Sequence, residues 1–387
     1  MTRAQFVFAC LFLTVTSEVL LSPFYPKYFS EAFGVKGVEM TSLFIICCRF
    51  VVIIMTPVWG IVLKKWSMQQ VVGCSLFMTA VFKALLSEST TFTSFFILSI
   101  LLLVFQSSFY LLYPYLVGRI EQQEEKMKKT TVYVVVVHTA IIVSSVLGSV
   151  VITWDIPLKV YLVFACMDLC MLLVLLVTKL LTSPLAEKDG RTHLKVKAQL
   201  IFFYMAAIFF FHLGHHVIRP YFTLFVDDRY EVSNQMNALL YVMPSIMAIV
   251  LKCCVPIRIF KDRDILLFYI VTALSAFSLV IQASVENLWI FMISRMLYGA
   301  CFYLSMVVLD IYLFRQCQEA AAYYYSWFIA VQNVALLFAP LLALTVSKAG
   351  FYTPLLCGAL LLVAAVIAIT IRNRPLVLYK EVKENEG

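Results

Sequence analysis

Charged residues are scarce in this 387-residue chain: Asp, Glu, Lys and Arg together make up 13% of it, against the ~25% usual in soluble domains. With 63% hydrophobic residues and a mean hydropathy of +0.93, a soluble globular domain is excluded, because no such domain has interior enough to bury that much apolar surface. Other signatures are missing too. No Asn-x-Ser/Thr sequon occurs, which favours a bacterial inner membrane over a glycosylated surface. There is no His-Glu-x-x-His pair, Gly-rich phosphate loop or nucleophile–base motif, so neither a membrane enzyme nor a lipid scramblase finds support. The 11 cysteines lack paired ligand spacing, and most, including Cys47, Cys48, Cys166, Cys170, Cys301 and Cys357, lie inside apolar runs. They read as small hydrophobes rather than disulfide or zinc partners, and no metal or cofactor is expected.

What the chain does have is length of apolar sequence. Crossing a bilayer of ~30 Å takes ~20 residues of helix, and twelve such runs occur, near 5–29, 38–63, 69–87, 94–117, 131–152, 158–182, 199–226, 234–257, 265–283, 288–313, 321–346 and 352–371. In lipid each must be a helix, because an open strand would leave its amides unbonded. A signal peptide would give one short apolar run near the start, whereas here the runs recur along the whole chain. The formal charge of +8 would fit a nucleic-acid binder, but it sorts by loop. With the N-terminus inside, 19 of the 30 Lys and Arg residues fall on the cytoplasmic side, 5 outside and 6 within helices. This positive-inside pattern puts both termini in the cytoplasm and leaves no reason to invoke nucleic acid. The hydrophilic stretch 183–198 is read as a linker between a six-helix bundle at 1–182 and a second at 199–371, with a cytoplasmic tail at 372–387.

The two halves resemble each other. An offset of about 197 residues lays Ser22-Pro-Phe-Tyr over Arg219-Pro-Tyr-Phe, with Pro23 on Pro220, and places the basic turn Lys64-Lys65 near Lys261-Asp262-Arg263. Small residues on the fifth helix, Ala140, Ser144, Ser145, Gly148 and Ser149, match Ala335, Ala339, Pro340 and Ala343 on the eleventh. Small side chains at four-residue spacing let helices approach closely in lipid, so packing competes evenly with a specific role.

Six plus six helices, matching halves and a central linker resemble the major facilitator superfamily over essentially the whole chain. Its loop signature G-x-x-x-D-R/K-x-G-R/K resembles Gly60-Ile-Val-Leu-Lys64-Lys65-Trp66-Ser67, with Lys64 where the acid should stand and Ser67 where the second glycine should. Asp262-Arg263 supplies the acid–base step in the second half. The family's R-x-x-x-G pattern, usual in the fourth helix, occurs in the tenth as Arg295-Met-Leu-Tyr-Gly299, while the fourth offers Gln106. The stretch from Ala140 to Ser149 is similar to the exporter-associated pattern of the fifth helix. The resemblance implies an all-α fold of twelve transmembrane helices in two pseudo-symmetric bundles, and Gly60, Lys64, Lys65, Asp262 and Arg263 as gating residues.

Ionisable side chains are costly at mid-membrane and mark function or internal pairing. Thr14, Glu18, Ser22 and Tyr25 recur at helical spacing as one polar stripe on the first helix, and His212, His215, His216 and Arg219 do so on the seventh. The offset sets His215 opposite Glu18. For the histidines three readings compete: proton coupling, since imidazole titrates near neutral pH; a metal site, since His212 and His216 are four apart; and structural hydrogen bonding. Arg49, Arg219 and Arg295 could bind a carboxylate or phosphate through their guanidinium forks or pair internally with Glu18 or Asp168. Tyr25, Gln106 and Tyr298 are candidates for lining the solute path, and Lys83 is expected to reach water near a helix end.

The expected protein is a monomeric, proton-coupled transporter working by alternating access, with Glu18, His212, His215 and His216 carrying protons. Its partners are a small-molecule solute, protons and the lipid bilayer. Export of a small organic molecule with an anionic group, siderophore-like or amphipathic, is the preferred direction. Uptake of an anionic nutrient, or a non-transporting receptor on the same fold, are the alternatives.

Overall fold

The computed structural model describes residues 2–35, 38–63, 65–117, 123–181, 198–254, 264–317 and 321–384, and among these the regular structure is all helix, with no strand. Chain entry into several helices is fixed by side-chain caps. Thr2 with Gln5, Ser67 with Gln70 and Thr91 with Ser94 each form a reciprocal capping box, satisfying amides that the first turn leaves without carbonyl partners.

The first span is not one rod. Helix α1 (Arg3–Val19) gives way to a 3₁₀ turn at Ser22–Phe24 and then to α2 (Tyr25–Phe33). Pro23 and Pro26 explain the break, since proline removes a backbone donor but fits the first turn of a new helix. Then come α3 (Glu39–Val62), α4 (Met68–Leu86), α5 (Phe92–Gln106), a 3₁₀ turn (Ser107–Leu111) into α6 (Leu112–Val117), α7 (Gln123–Val151) and α8 (Val160–Thr178). The second set is α9 (Ala198–His216), a 3₁₀ turn (Arg219–Tyr221), α10 (Phe222–Tyr230), α11 (Asn234–Cys254), α12 (Asp264–Ser284), α13 (Leu288–Cys317), α14 (Ala321–Ser347) and α15 (Thr353–Glu384). Eleven spans among the described residues are long and apolar enough to cross a membrane. The broken pair α9–α10 stands at the one remaining expected run, 199–226, the seventh in chain order.

The repeat suggested by the sequence is written into these boundaries. The end of α1, the 3₁₀ turn and both ends of α2 each have a counterpart 197 residues on, at His216, Arg219–Tyr221 and Phe222–Tyr230. Both short helices are stopped by a residue of positive φ, Gly34 at 65° and Glu231 at 47°. Side-chain bonds repeat as well. The Ser108 hydroxyl donates to Ser75 at 2.8 Å between the 3₁₀ turn and α4, and Thr272 and Ser305 share a hydrogen bond of 3.2 Å between α12 and α13 at the same offset.

The chain divides into two compact units, Met1–Asp189 with Val232–Ser245, and Gly190–Glu231 with Ile246–Gly387. Each is built inside out relative to a soluble domain. On α8, Leu162, Val163, Leu173 and Val177 are exposed, while Phe164, Asp168 and Leu175 are buried, the order expected when lipid rather than water surrounds the bundle. In the first unit α7 packs on α1, and α4 lies between α5 and α8. A Cβ on Gly148 would stand 2.0 Å from the Leu20 carbonyl oxygen, so only glycine permits the approach of α7 to the end of α1. Ala140, Ser144, Ser145 and Ser149 are buried on the same helix, which supports the packing role for this small-residue face. In the second unit Ala335 and Ala339 pack on Leu213, and Gly214 and Gly358 bring α9 and α15 together, a Cβ on either meeting the other's carbonyl oxygen within 3.0 Å.

Candidate functional site

Within the first unit, a carboxylate and a guanidinium meet at the wall of a cleft. Glu18, one residue before α1 ends, lies 3.5 Å from Arg49 on α3, and its other carboxylate oxygen accepts a 2.5 Å hydrogen bond from the Tyr110 hydroxyl. Neither charged side chain is sealed: Glu18 is 21% and Arg49 39% exposed. The cleft has about 600 Å³ of empty space counted out to its open mouth. Ser17, Glu18, Arg49 and Ser99 form its polar part, and Tyr25, Phe44, Leu102 and Tyr161 its apolar part. The break in α1 positions this wall, because it turns Tyr25 at the start of α2 toward α3. Its ring then lies 5.2 Å from Phe44, edge to face, and stacks 5.2 Å from Phe29. Phe29 in turn meets Phe92 and Phe95 of α5 at 5.1 and 5.5 Å. Such edge-to-face pairs add about 0.5–1.5 kcal/mol each beyond burial and hold the apolar wall rigid.

The polar stripe expected on the first helix is therefore redistributed. Glu18 and Tyr25 face the cleft together with Ser17, whereas Thr14 is buried and Ser22 opens the 3₁₀ turn. Gln106 is buried at 2% exposure, and its amide donates to the Thr14 carbonyl at 3.3 Å, so it joins α5 to α1 rather than lining the cleft.

Lys83 corrects the expectation that it reaches water. It is 1% exposed, and its ammonium lies 2.7 Å from Asp168, itself 3% exposed, joining α4 to α8. Phe164 covers the ammonium at 5.8 Å. Sequence reasoning missed this pair because the 85-residue separation and the rotation of two helices are both invisible in the apolar pattern. The signal was present only as two unexplained charges of opposite sign in spans three and six.

In the second unit the histidines do not form one continuous stripe. Helix α9 ends at His216, so Arg219 belongs to the following 3₁₀ turn, where it is exposed rather than deep. His215 is buried, and its Nδ1 shares a 2.6 Å hydrogen bond with the Tyr298 hydroxyl of α13. Phe211 and Phe302 pack on its ring at 4.5 and 4.2 Å. His212 is also buried, and His216 is half-buried, with its ring 6.3 Å from that of His212. His215 Nε2 and His212 Nδ1 are buried without a hydrogen-bond partner. Arg295 is 4% exposed, lies 4.0 Å over the Phe222 ring and 5.3 Å over Tyr298, and donates to the Gln282 side-chain oxygen at 3.4 Å. Tyr298 and Arg295 are thus brought together with His215, while Arg219 is exposed in the 3₁₀ turn yet within electrostatic reach of His212, His215 and Tyr298. Among the described residues no group of three or more His, Cys, Asp or Glu side chains could hold a metal ion.

Of the expected gating residues, Gly60 is half-buried within α3 and Lys65 is exposed in the turn after it. Lys64, Asp262 and Arg263 lie outside the described residues.

Residues 7–281 match the family model of the Major Facilitator Superfamily. No curated protein sequence matches the chain. Among solved structures, the chain is similar to a bacterial homologue of the human lysosomal transporter Spinster in an inward-facing, occupied conformation, with a TM-score of 0.78 at 8% identity, covering 96% of each chain. It is similar also to the human organic anion transporter MFSD10 (TETRAN), with a TM-score of 0.70 at 14% identity over 94% of this chain and 98% of that one. At these identities the likeness is one of fold. With a family model spanning well over half its length, eleven apolar spans and a repeated helical skeleton, the chain belongs to the major facilitator superfamily and is an integral membrane transporter of small molecules, not an enzyme.

Proposed function

We propose that the protein is a proton-coupled, alternating-access exporter of a small organic solute that carries an anionic group. The observation that supports this reading is the accessible Glu18–Arg49 pair at the cleft. Glu18 is a titratable carboxylate held by a phenol and by the Arg49 guanidinium, a fork that suits a solute carboxylate. Ligand and proton thereby act on one pair, which links their binding. At the offset of 197 residues Glu18 corresponds to His215, so each half carries a titratable group at the same place in its broken helix. His212 and His216 would extend the proton path, and Arg219, Arg295 and Tyr298 would contact the solute within the second unit. The anion class rests on the arginines, since the organic anion transporter MFSD10 shares only the fold at 14% identity. Export rests on the similarity of the Ala140–Ser149 face to the exporter pattern. The distribution of basic residues supports cytoplasmic termini, and the missing sequon a bacterial inner membrane.

The test is proton flux in proteoliposomes carrying a pH gradient, with acidic, neutral and cationic solutes added in turn. Acidic solutes should drive proton movement in the antiport sense, and Arg219→Lys should weaken their effect while keeping the charge. Flux of the same size with neutral solutes, or none with any acidic solute, would remove the anion reading. Symport with an acidic solute would reverse the direction.

A further inference from the structure

We propose that the cleft of the first unit binds a small zwitterion, a molecule with an ammonium and a carboxylate on neighbouring carbons and one apolar side chain, as in a hydrophobic α-amino acid. The inference rests on the reading of Glu18 and Arg49 as solute-contacting groups and names the solute they select. The polar end of the cleft holds one carboxylate and one guanidinium, and both side chains are open to it. Their separation of 3.5 Å is wider than the ~2.7–2.9 Å of a charge-assisted hydrogen bond, so the pair is close enough to neutralise and loose enough to part.

Charge balance then chooses the ligand. A simple carboxylate that took Arg49 would leave Glu18 ionised with only the Tyr110 hydroxyl beside it, and an amine that took Glu18 would leave Arg49 without a counter-charge. Either outcome strands a charge in a low-dielectric site. A zwitterion leaves none stranded, because its carboxylate meets the guanidinium fork while its ammonium meets Glu18, whose other oxygen is already fixed by Tyr110. The Ser17 hydroxyl donates to the Thr14 carbonyl at 3.0 Å, which leaves its lone pairs to accept from the ammonium. Beyond the charges, Tyr25, Phe44, Leu102 and Tyr161 make an apolar wall braced by ring contacts.

Three probes share one apolar group and differ only in charge: L-phenylalanine, 3-phenylpropionate and 2-phenylethylamine. Binding to the purified full-length protein in detergent is measured by calorimetry at neutral pH, with L-leucine as a second zwitterion. The zwitterions should bind at least tenfold more tightly than either singly charged probe. In Glu18→Gln, 3-phenylpropionate should bind as tightly as L-phenylalanine, and in Arg49→Gln the amine should gain the same parity. Equal or tighter binding of 3-phenylpropionate by the unaltered protein overturns the proposal, as does absence of saturable binding by both zwitterions. The comparison of probes needs no variant to fold. Anion-driven proton flux without zwitterion preference would defeat only this inference, and zwitterion binding without proton flux would defeat only the coupling.

Discussion

The two halves of the chain share a skeleton and differ in what they place inside it. Breaks, turns and hydroxyl bonds recur 197 residues apart, yet where the first unit sets the pairs Lys83–Asp168 and Glu18–Arg49 between its helices, the second places aliphatic side chains opposite Lys83, Asp168 and Arg49. The position matching Lys83 is Val280, that matching Asp168 falls in the wholly apolar stretch 361–369, and those matching Arg49 and Tyr110 are Ile246 and Val307. The architecture alone therefore demands none of these charges. Their retention in the first unit separates into two cases by access: Lys83–Asp168 is sealed, and Glu18–Arg49 is open to a cleft. A sealed pair ties α4 to α8, while an open one can change partners.

The largest expected effect breaks the sealed pair. Lys83→Met or Asp168→Leu alone strands a buried charge and should destabilise the protein by about 3–5 kcal/mol, whereas the double variant, which copies the apolar character of the second half, should recover most of the loss. Thermal unfolding in detergent measures both. Single variants as stable as the parent would show that the pair bears no structural load.

A smaller effect sharpens the comparison of backbone contacts. Gly148→Ala must displace the Leu20 carbonyl and should cost about 1–3 kcal/mol by overpacking. Gly60→Ala, with open space around it, should be near neutral in the same unfolding assay.

The smallest effect concerns the exposed pair at the ends of the same two helices, Glu88 with Lys159. Hydrogen bonding and attraction from Lys159 lower the Glu88 carboxyl below its ordinary value of 4.5. A group whose pKa falls on folding adds stability above the unfolded value and loses it as pH drops through the lowered one. Glu88→Gln should therefore change the melting temperature only slightly at neutral pH, with the difference vanishing in acid. Solvent and salt screen a pair this exposed.

Much of the fold was legible because lipid imposes one rule on every span: twenty apolar residues must be a helix. The repeat was legible through Pro23 and Pro220, although the sequence reading carried the first helix on to residue 29 where those prolines divide it. Side-chain partners were harder. Periodicity places Thr14, Glu18, Ser22 and Tyr25 on one face of a continuous helix; Glu18 and Tyr25 do meet at the cleft, whereas Thr14 is buried and Ser22 is taken up by the 3₁₀ turn. Arg49 with Glu18 was foreseen as one way to satisfy a buried arginine, because few acids are available at that depth. Lys83 with Asp168 was not, since two helices can be rotated in many ways that keep their apolar content unchanged. Tyr25 was expected to line the solute path, but Phe44 beside it and the bracing rings Phe29 and Phe95 were hidden for the same reason, being indistinguishable from ordinary lipid-facing rings.

The most direct test of the account compares the open pair with the sealed one in proteoliposomes, as solute-dependent proton flux. Glu18→Gln should abolish coupling while the protein stays folded, and the double variant Lys83→Met with Asp168→Leu should keep it. Full coupling in Glu18→Gln, with loss in the folded double variant, would contradict the account by moving the working charge from the cleft to the sealed pair.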